Sequence, residues 1–459
     1  MFVNRESELK NLNDEYRKKR SSFVVIFGRR RVGKTTLIKE FVKNKDYIYF
    51  QADLQNEVLQ IQRFKSIFSE KYKDINLFDT EFNSWDGLFA FFIKNRANKK
   101  DKKLIIVIDE FQYLVRVNPS IPSIFQRIWD DILSKSNVMF IISGSSVSMM
   151  YQSVLNYNSP LYGRRTLQIH LKPMGFFEFK KFFNDQDLIK IFEFYSVIGG
   201  IPKYIELLNL KKSLKWNIEN KILNKSEFLY FEPKFLLNED FNNLTNYFSI
   251  MEAISSGKHK IGNISKRLKV KVNNLSSFID KLILVELIER EVPVTEENPS
   301  KSKKGLYFIK DNFIKFWFTF VFPFQSYIEM DNIKFVVDKV NKSFNNYVSR
   351  NFEKVSTEFL IKNRIPFEFM KIGRWWNKNN EIDIVGIGEN KILFGECKYS
   401  ENRVGKKVLD ELIEKSKLVE EYENYEKYYV IFSKKGFKKE LLNYGLKIKN
   451  LFLFSISDF

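Results

Sequence analysis

Eight consecutive residues, GRRRVGKT, have the spacing Gly-x-x-x-x-Gly-Lys-Thr of a loop that holds phosphates. Glycines at both positions let the backbone curl so that its N–H groups point at a β-phosphate. Lys34 would neutralise charge on the β- and γ-phosphates, and the Thr35 hydroxyl would bind Mg²⁺. We therefore predict that the chain binds ATP with its magnesium ion here. Contact with the nucleotide is predicted for Gly28, Arg29, Arg30, Arg31, Val32, Gly33, Lys34, Thr35, Thr36 and, from a later strand, Ser143.

Two acids close the apolar run LIIVI and are candidates for metal binding and catalysis. An acid at the end of a buried strand beside the phosphate loop can hold the water shell of Mg²⁺, and we assign that role to Asp109. Glu110 is the candidate general base for the water that attacks the γ-phosphate. The alternative is that both are exposed loop carboxylates.

Other polar residues leave two interpretations open. Ser143 follows the apolar run VMFII, and its hydroxyl would either sense the γ-phosphate or cap a helix or turn. One of Arg164 and Arg165 would serve as an arginine finger, or these residues would form a structural ion pair. The run Arg29-Arg30-Arg31 would contact either phosphates or nucleic acid, and the sequence does not decide between them.

Strands and helices that alternate along the first part of the chain would position these residues. Apolar runs without alternation are typical of strands buried on both faces, as in a parallel sheet covered by helices. We predict a doubly wound α/β P-loop domain for residues 1–175, with a helix over TTLIKEFVKN (35–44) after the loop. The predicted strands are SFVVIF (22–27), YIYFQAD (47–53), LIIVID (104–109) and VMFIIS (138–143).

Three further units are predicted downstream. Residues 176–238 are helical and aromatic-rich, and Gly-Gly-Ile-Pro at 199–202 breaks one helix and starts the next, so we predict a helical lid. Residues 239–330 contain three helix patterns and a charged loop with strand-like flanks, the order of a winged helix-turn-helix. Its third pattern, NNLSSFIDKLILVELIER, would be the recognition helix. Residues 331–459 begin with a helix, followed by the strands EIDIVGIG and KILFGECKY, a charged helix over 405–426 and the strand YYVIFS.

Several short stretches carry a more specific pattern. They are NRESEL (4–9), FGRRRVGKTTL (27–37), VIDEFQYL (107–114), ISGSS (142–146), LYGRR (161–165) and GGIPKY (199–204). Together they resemble an archaeal-type ATPase family related to the signal-transducing branch of the AAA+ superfamily. The resemblance continues through KDNFIKFWF (310–318) and covers nearly the whole chain. It implies an AAA+-like core, a lid, a winged helix and a C-terminal nuclease-like domain, and it implies no particular biological role.

The segments EID (381–383) and GECK (395–398) resemble the core of the PD-(D/E)xK nuclease fold, with Ile in place of the Pro of that name. Residues two apart on a strand share a face, so Glu396 and Lys398 point the same way. If the preceding turn is Glu389-Asn390, Asp383 lies opposite Glu396. With a three-residue turn it lies opposite Gly395. Either way two carboxylates and an ammonium group converge.

Such a cluster binds Mg²⁺, and the lysine can orient the water that attacks a phosphodiester. Asp383 and Glu396 are the predicted metal ligands, and Glu353 on the preceding helix matches the helical acid of the nuclease family. Two alternatives remain open. The segment is either a surface hairpin with salt-bridged charges, or a nuclease fold that has lost turnover and only binds DNA.

The 459-residue chain has a formal net charge of +20, which bears on its partners. A strongly basic surface attracts polyanions, nucleic acid first and anionic membrane second, and the alternative is scattered solvated lysines. One Cys and two His are too few for an internal disulfide or a Cys/His zinc site, so any metal needs oxygen ligands. No apolar run is long enough to span a bilayer, and MFVNRESELK lacks a signal-peptide core. We expect a soluble, cytoplasmic protein with no membrane partner.

Three functions fit these predictions. The first, which we favour, is a nucleotide-driven switch in which ATP hydrolysis is coupled to DNA binding. The second is an ATP-regulated DNA endonuclease that uses the C-terminal carboxylates. The third is a non-catalytic DNA-binding regulator that contacts phosphates through Lys266, Arg267, Lys269 and Lys271. An arginine finger supplied by a second copy would require a homo-oligomer.

Overall fold

The computed structural model describes residues 4–72, 80–96, 102–183, 187–241 and 243–459, which form two compact units. The domain boundaries that the sequence places at residues 175, 238 and 330 stay predictions. The N-terminal unit comprises Met1–Pro173 and two short later segments, Ile201–Lys203 and Glu239–Asn242. The C-terminal unit comprises Met174–Gly200, Tyr204–Asn238 and Asn243–Phe459.

A five-stranded parallel sheet forms the middle of the N-terminal unit, in the order β2-β3-β4-β1-β5. Every residue of β1, β3 and β4 is buried, which explains why these runs lack alternating polar positions. The four predicted strands are present, and β5 is an additional one. The strands are β1 (Ser22–Phe27), β2 (Tyr47–Gln51), β3 (Leu104–Asp109), β4 (Val138–Gly144) and β5 (Leu167–His170).

Alternate side chains of this sheet pack into two apolar cores, one on each face. Val24 and Ile26 pack with Leu37 of the helix that follows the phosphate loop. Phe23 and Val25 pack in the opposite core with other helices. Helices therefore cover both faces, as predicted. They are α1 (Glu6–Arg17), α2 (Lys34–Val42), α3 (Glu57–Tyr72), α4 (Trp85–Arg96), α5 (Gln112–Val117), α6 (Ile121–Arg127) and α7 (Val147–Met150).

Among the described residues from 176 to 240, the chain forms five α-helices. The break predicted at Gly-Gly-Ile-Pro is present, because one helix ends before Gly199, whose φ is +69°, and the next begins at Pro202. The helices are α8 (Phe176–Phe179), α9 (Leu188–Ile198), α10 (Pro202–Glu206), α11 (Leu214–Asn217) and α12 (Phe228–Asp240).

Three helices and an antiparallel hairpin follow in the predicted order. The third helix is shorter than predicted, since Glu286 adopts a φ of +59° and the next residues pair as a strand. Leu287, which was assigned to that helix, therefore lies outside it. The elements are α13 (Leu244–Ser255), α14 (Ile261–Leu268), α15 (Val272–Leu284), β6 (Ile288–Glu291) and β7 (Leu306–Ile309). The winged-helix interpretation of this group stays a prediction.

A second five-stranded sheet, in the order β12-β11-β10-β9-β8, follows the long helix α18. The strands β8 and β12 were not predicted, and the charged helix predicted over 405–426 ends at Ser416. The helices are α16 (Asn312–Phe316), α17 (Gln325–Glu329), α18 (Ile333–Asn363), α19 (Lys406–Ser416) and α20 (Lys439–Gly445). The strands are β8 (Lys371–Trp376), β9 (Glu381–Ile387), β10 (Lys391–Lys398), β11 (Glu426–Ser433) and β12 (Leu451–Ser455).

The register of β9 against β10 decides between the two predicted turns. Gly395 lies opposite Ile384, and the antiparallel pairing continues back to Ile387 opposite Ile392. The turn therefore comprises Glu389-Asn390, and the first predicted register is confirmed. The next position of this register places Asp383 opposite Glu396.

Candidate functional site

The phosphate loop connects β1 to α2, so that Gly28 follows the strand and Lys34 begins the helix. Gly28 has a φ of +153° and Gly33 one of +96°, both in the region that favours glycine. A Cβ at Gly28 would lie 2.2 Å from the backbone oxygen of Leu171, so a larger residue does not fit. Lys34 Nζ donates to the carbonyl oxygens of Gly28 at 2.7 Å and Arg29 at 2.9 Å. The ammonium group is thus held against the loop.

Thr35 and Asp109, the predicted magnesium ligands, contact each other directly. Thr35 Oγ1 donates to Asp109 Oδ2 at 2.7 Å, and the Tyr49 hydroxyl donates to the same oxygen at 2.5 Å. Burial, together with the charge of Asp109, raises the pKa of Tyr49 well above its ordinary value of 10.0, so Tyr49 stays a donor. A hydroxyl and a carboxylate in contact beside a phosphate loop are oxygen ligands that fit Mg²⁺.

Glu110 follows Asp109 directly, in a backbone turn with a φ of +58°. Ser145 Oγ donates to Glu110 Oε2 at 2.6 Å, and Gln112 Nε2 donates to the same oxygen. Gln112 also donates to Ser145 Oγ at 3.0 Å, which closes a small network. The sequence analysis missed Ser145 and Gln112, although both lie in stretches that carried the family resemblance. Their hydrogen bonds hold the carboxylate of Glu110 in one orientation.

Ser143 lies at the end of β4 with its hydroxyl oxygen buried and without a hydrogen-bond partner in the described part of the chain. Alternation along β4 places its side chain on the sheet face that packs against α2. A capping role belongs instead to Ser146, whose side chain accepts a hydrogen bond from the Met149 N–H at the start of α7. The γ-phosphate role of Ser143 stays a prediction.

The arginines within the loop have different surroundings. Arg29 is 5% exposed, and Arg30 Nη2 donates to the Tyr113 hydroxyl at 2.5 Å. Arg31 adopts a φ of +68°, which places it in the curled part of the loop. Val32 packs in the core beside α2, so it would offer a nucleotide its backbone rather than its side chain.

Arg164 has the geometry of the ion-pair alternative. Its Nε lies 2.9 Å from Asp130 Oδ1 and its Nη2 lies 2.7 Å from Asp130 Oδ2, a bidentate pair. Its Nη1 also donates to the carbonyl oxygen of Pro160 at 2.8 Å. The neighbouring Arg165 lies over the Tyr162 ring, 5.3 Å from its centroid. An arginine-finger role for Arg164 would require this pair with Asp130 to break.

In the C-terminal unit, the adjacent strands β9 and β10 bring Asp383, Glu396 and Lys398 together. Lys398 Nζ lies 2.6 Å from Glu396 Oε1, and Lys415 Nζ lies 3.4 Å from Glu396 Oε2. Burial, reinforced by the charges of Glu353 and Glu396, raises the pKa of Asp383 to about 8. A cation bound beside Asp383 would stabilise its charged form.

Glu353 and Asp383 line a cavity of about 460 Å³ together with Arg350 and Arg374. Arg374 Nε lies 3.2 Å from Glu353 Oε2. Among the residues that the structure describes, no group of three or more His, Cys, Asp or Glu side chains is arranged to hold a metal ion. The roles of Asp383 and Glu396 as metal ligands stay predictions, and water and substrate oxygens would have to supply the remaining ligands.

Comparisons with known proteins match most of the chain. Residues 2–208 match a family model described as an ATPase domain predominantly from Archaea, and residues 317–429 match one described as archaeal and bacterial proteins of unknown function. An uncharacterized protein of Methanocaldococcus jannaschii is 41% identical over 449 residues, which are 96% of this chain and 97% of that protein. The chain belongs to this family of archaeal ATPases.

Two further proteins are similar to parts of this chain. An uncharacterized ATP-binding protein of the same organism is 49% identical to this chain over 45 residues, which are 10% of this chain and 76% of that protein. A solved Walker-type ATPase of Pyrococcus abyssi aligns with 69% of this chain and 96% of its own, at a TM-score of 0.52 and 21% identity. That likeness shows the P-loop fold. Within the described ranges, no helix combines the length and apolar character needed to cross a membrane.

Proposed function

We propose that this protein hydrolyses ATP with Mg²⁺ and that its nucleotide state controls DNA binding. The observation that supports hydrolysis best is the arrangement at the ends of β3 and β4. Thr35 donates a hydrogen bond to Asp109. The next residue after Asp109 is Glu110, and Ser145 donates a hydrogen bond to its carboxylate. A protein that only bound ATP would need the loop and the metal ligands, but no carboxylate fixed beside them.

Each residue has a role in this proposal. The loop N–H groups and the start of α2 bind the phosphates, and Lys34 neutralises the β- and γ-phosphate charge. Magnesium, when bound through Thr35 and Asp109, neutralises the charge that develops on the phosphate oxygens. Glu110 accepts the proton of the attacking water, and Ser143 is the proposed sensor of the γ-phosphate.

ATP binding and hydrolysis in three full-length variants test this assignment. Lys34→Ala should abolish binding. Glu110→Gln should keep binding and lose turnover by about 10²- to 10⁴-fold, the usual contribution of a general base. Lys43→Ala, an exposed lysine just after α2, is the control and should behave as wild type. If Glu110→Gln hydrolyses ATP at the wild-type rate, the base assignment is wrong. If Lys34→Ala binds ATP normally, the site itself is wrong.

The three helices and hairpin of the C-terminal unit support the DNA part of the proposal. Helix α15 exposes Asn273 and Ser277, whose amide and hydroxyl groups can hydrogen-bond to base edges. Lys269 and Lys271 are exposed just before this helix, whereas Arg267 is paired with a carboxylate of α13. We propose a winged helix-turn-helix with α15 as the recognition helix and these lysines on DNA phosphates.

ATPase rates with and without duplex DNA test the coupling, and stimulation is the expected result. Lys269→Ala should weaken DNA binding and reduce the slope of log affinity against log salt by about one. Lys407→Ala, an exposed lysine at the start of α19, should leave that slope unchanged. Binding that does not depend on salt, or an ATPase rate indifferent to DNA, would contradict the coupling.

A DNA endonuclease is the second candidate function, and the register of β9 and β10 is the observation that favours it. Incubation of the full chain with plasmid DNA and Mn²⁺ should produce cleavage that Asp383→Ala abolishes. Asp410→Ala, an exposed acid on α19, is the matched control and should cleave normally. If no cleavage appears, or if Asp383→Ala cleaves as well as wild type, the domain is not an active nuclease.

A further inference from the structure

A second cavity in the C-terminal unit, of about 290 Å³, is separate from the carboxylate cluster. Its walls come from α13, the strand β7, the helical segment that begins with α16, and the middle of α18. Aromatic side chains form part of the wall. They are Phe308, Phe320 and Tyr347.

The charged groups around this cavity are all basic. His259, Lys315, Arg350 and Lys354 line it, and no Asp or Glu is found among the described residues of its wall. Basic groups that lie close together disfavour one another's charged form. Burial, with a further contribution from the charges of Arg350 and Lys315, lowers the pKa of His259.

Two of these basic side chains form ion pairs with carboxylates that do not line the cavity. Arg350 pairs with Glu291 and Lys354 with Glu289, both on β6. Arg350 Nε is nevertheless buried without a hydrogen-bond partner in the described residues. A buried N–H group in that state is destabilising until an acceptor reaches it.

Lys315 has no carboxylate partner in the part of the chain that the structure describes. Its Nζ donates to the carbonyl oxygen of Tyr347 at 3.1 Å and lies 4.5 Å from the centroid of that ring. Burial, and next the charges of Lys354 and Arg350, lowers the pKa of Lys315 from 10.5 to about 7. A cation kept in such surroundings suits a site that is completed by an anion.

We propose that this cavity binds the phosphate group of a small phosphorylated molecule no larger than a mononucleotide. The volume lies at the lower end of the range for ligand sites, which favours a small ligand over a dinucleotide. Lys315 and Arg350 contact the phosphate, and the aromatic part of the wall packs against the organic group that carries it. An ester of phosphate therefore fits better than phosphate alone.

Two cations connect this cavity with the carboxylate cluster. Arg350 and Lys354 line both this cavity and the one that contains Glu353 and Asp383. A phosphate in the 290 Å³ cavity competes with the β6 carboxylates for these two cations. The ligand thereby reduces the positive charge that these two cations provide near Asp383.

Isothermal titration calorimetry on the full chain carrying Lys34→Ala tests the proposal, since that variant removes nucleotide binding at the phosphate loop. The probes are AMP, inorganic phosphate, adenosine and a short single-stranded DNA. AMP should bind with a Kd below about 1 mM, more tightly than inorganic phosphate, and adenosine should not bind. Adding Lys315→Met should weaken AMP binding by about tenfold or more, as expected for one lost charge-assisted hydrogen bond.

Two other substitutions keep the test decisive if Lys315→Met does not fold. Asn346→Asp adds a negative charge at an exposed position of the cavity wall and should also weaken AMP binding. Lys334→Met removes an exposed lysine at the start of the same helix and should leave AMP binding unchanged. The proposal is overturned if neither AMP nor phosphate binds, if adenosine binds as well as AMP, if only DNA binds, or if AMP affinity is unaffected by both cavity substitutions.

Discussion

Asp109 accepts two hydroxyl hydrogen bonds on one oxygen, from Thr35 and from Tyr49. The Thr35 hydroxyl would leave this bond to bind Mg²⁺, whereas the Tyr49 hydroxyl would continue to hold the carboxylate. We expect Tyr49→Phe to raise the Mg²⁺ concentration for half-maximal ATPase activity by about tenfold, because a hydrogen bond to a charged group contributes about 1.5 kcal/mol. Steady-state ATPase assays over a magnesium titration measure this change.

A matched control lies two residues earlier on the same strand. Tyr47 is exposed, and Tyr47→Phe removes the same atom away from the metal ligands. The dependence of its ATPase activity on magnesium concentration should equal that of the wild type. If Tyr49→Phe gives the same curve as Tyr47→Phe, Tyr49 does not position Asp109.

Lys315 allows a second prediction, on stability. Burial and the charges of Lys354 and Arg350 lower its pKa from 10.5 to about 7, and the charges of Glu353 and Glu289 offset this only in part. Between these two pH values the unfolded chain binds more protons at this position than the folded chain, so stability falls as pH falls from about 10.5 to about 7 and changes little below. Lys315→Met should therefore be more stable than wild type at pH 7, by an amount that shrinks towards pH 10.

Urea unfolding at several pH values, followed in the C-terminal unit, measures the difference in stability between Lys315→Met and the wild type. Lys334→Met, which alters an exposed lysine, should show the same pH dependence as the wild type. A Lys315→Met protein that is less stable than wild type at pH 7 would show that the bond from Lys315 to Tyr347 outweighs the cost of burying the charge.

At the scale of elements, Gly200 explains why the break between α9 and α10 needs two glycines. The Met174 N–H donates to the Gly200 carbonyl oxygen at 2.8 Å, and a Cβ on Gly200 would lie 1.8 Å from the Met174 carbonyl oxygen. We expect Gly200→Ala to lower the free energy of unfolding by about 2–3 kcal/mol, since backbone must move to admit the methyl group. Chemical denaturation measures the loss.

The comparison for this change is Gly262→Ala. Gly262 lies exposed on α14, and a Cβ there would meet no atom within 4 Å. Because alanine has the higher helix propensity, stability should stay the same or rise by less than about 1 kcal/mol. Equal effects of the two substitutions would mean that the approach of Met174 to Gly200 does not constrain this turn.

The sequence predicted the elements best where burial is complete. The strands β1, β3 and β4 are continuous apolar runs because both their faces are covered, and the short turn at Glu389-Asn390 limited β9 and β10 to two registers. The edge strands β8 and β12 were not predicted, and most of their residues are only partly buried. The end of α15 was misplaced because a single backbone torsion, at Glu286, decides it.

Side-chain partners were harder to predict than elements. The loop residues and Asp109 could be proposed as a site because their pattern is local, and the structure places Thr35 in contact with Asp109. Ser145, Gln112 and Tyr49 could not be assigned, since each acquires its role through a contact that only the folded sheet creates. The same holds for the basic cavity, whose cations come from segments far apart in the sequence.

At the scale of the whole molecule, the two units are not consecutive pieces of sequence. The N-terminal unit is completed by Ile201–Lys203 and Glu239–Asn242, which follow long stretches of the other unit. A linear division of the chain cannot predict this, because periodicity shows where helices are and not with which core they pack. Events in the N-terminal unit can therefore depend on residues far downstream of the ATP-binding motifs.

Asp240 gives this dependence a test. Its Oδ1 accepts hydrogen bonds from Ser146 at 2.8 Å and Ser148 at 3.3 Å, and the charges of Arg29 and Arg116 act on it. Burial outweighs these contributions and raises the pKa of Asp240. As a carboxylate it opposes the positive charge that Arg29 brings to the phosphate loop. We expect Asp240→Asn and Asp240→Ala to bind ATP about threefold more tightly, because each removes a negative charge near an anion site.

The two substitutions differ in what they leave behind, which separates charge from hydrogen bonding. Asp240→Asn keeps an oxygen that can accept from Ser146, so its melting temperature should stay near that of the wild type. Asp240→Ala leaves the serine hydroxyls without that acceptor and should lower stability by about 1–2 kcal/mol. ATP titrations and thermal unfolding of the full chain measure both effects. Unchanged ATP affinity in both variants would mean that Asp240 only anchors its segment. Tighter binding in both would show that a residue more than 200 positions after the phosphate loop influences the charge at that loop.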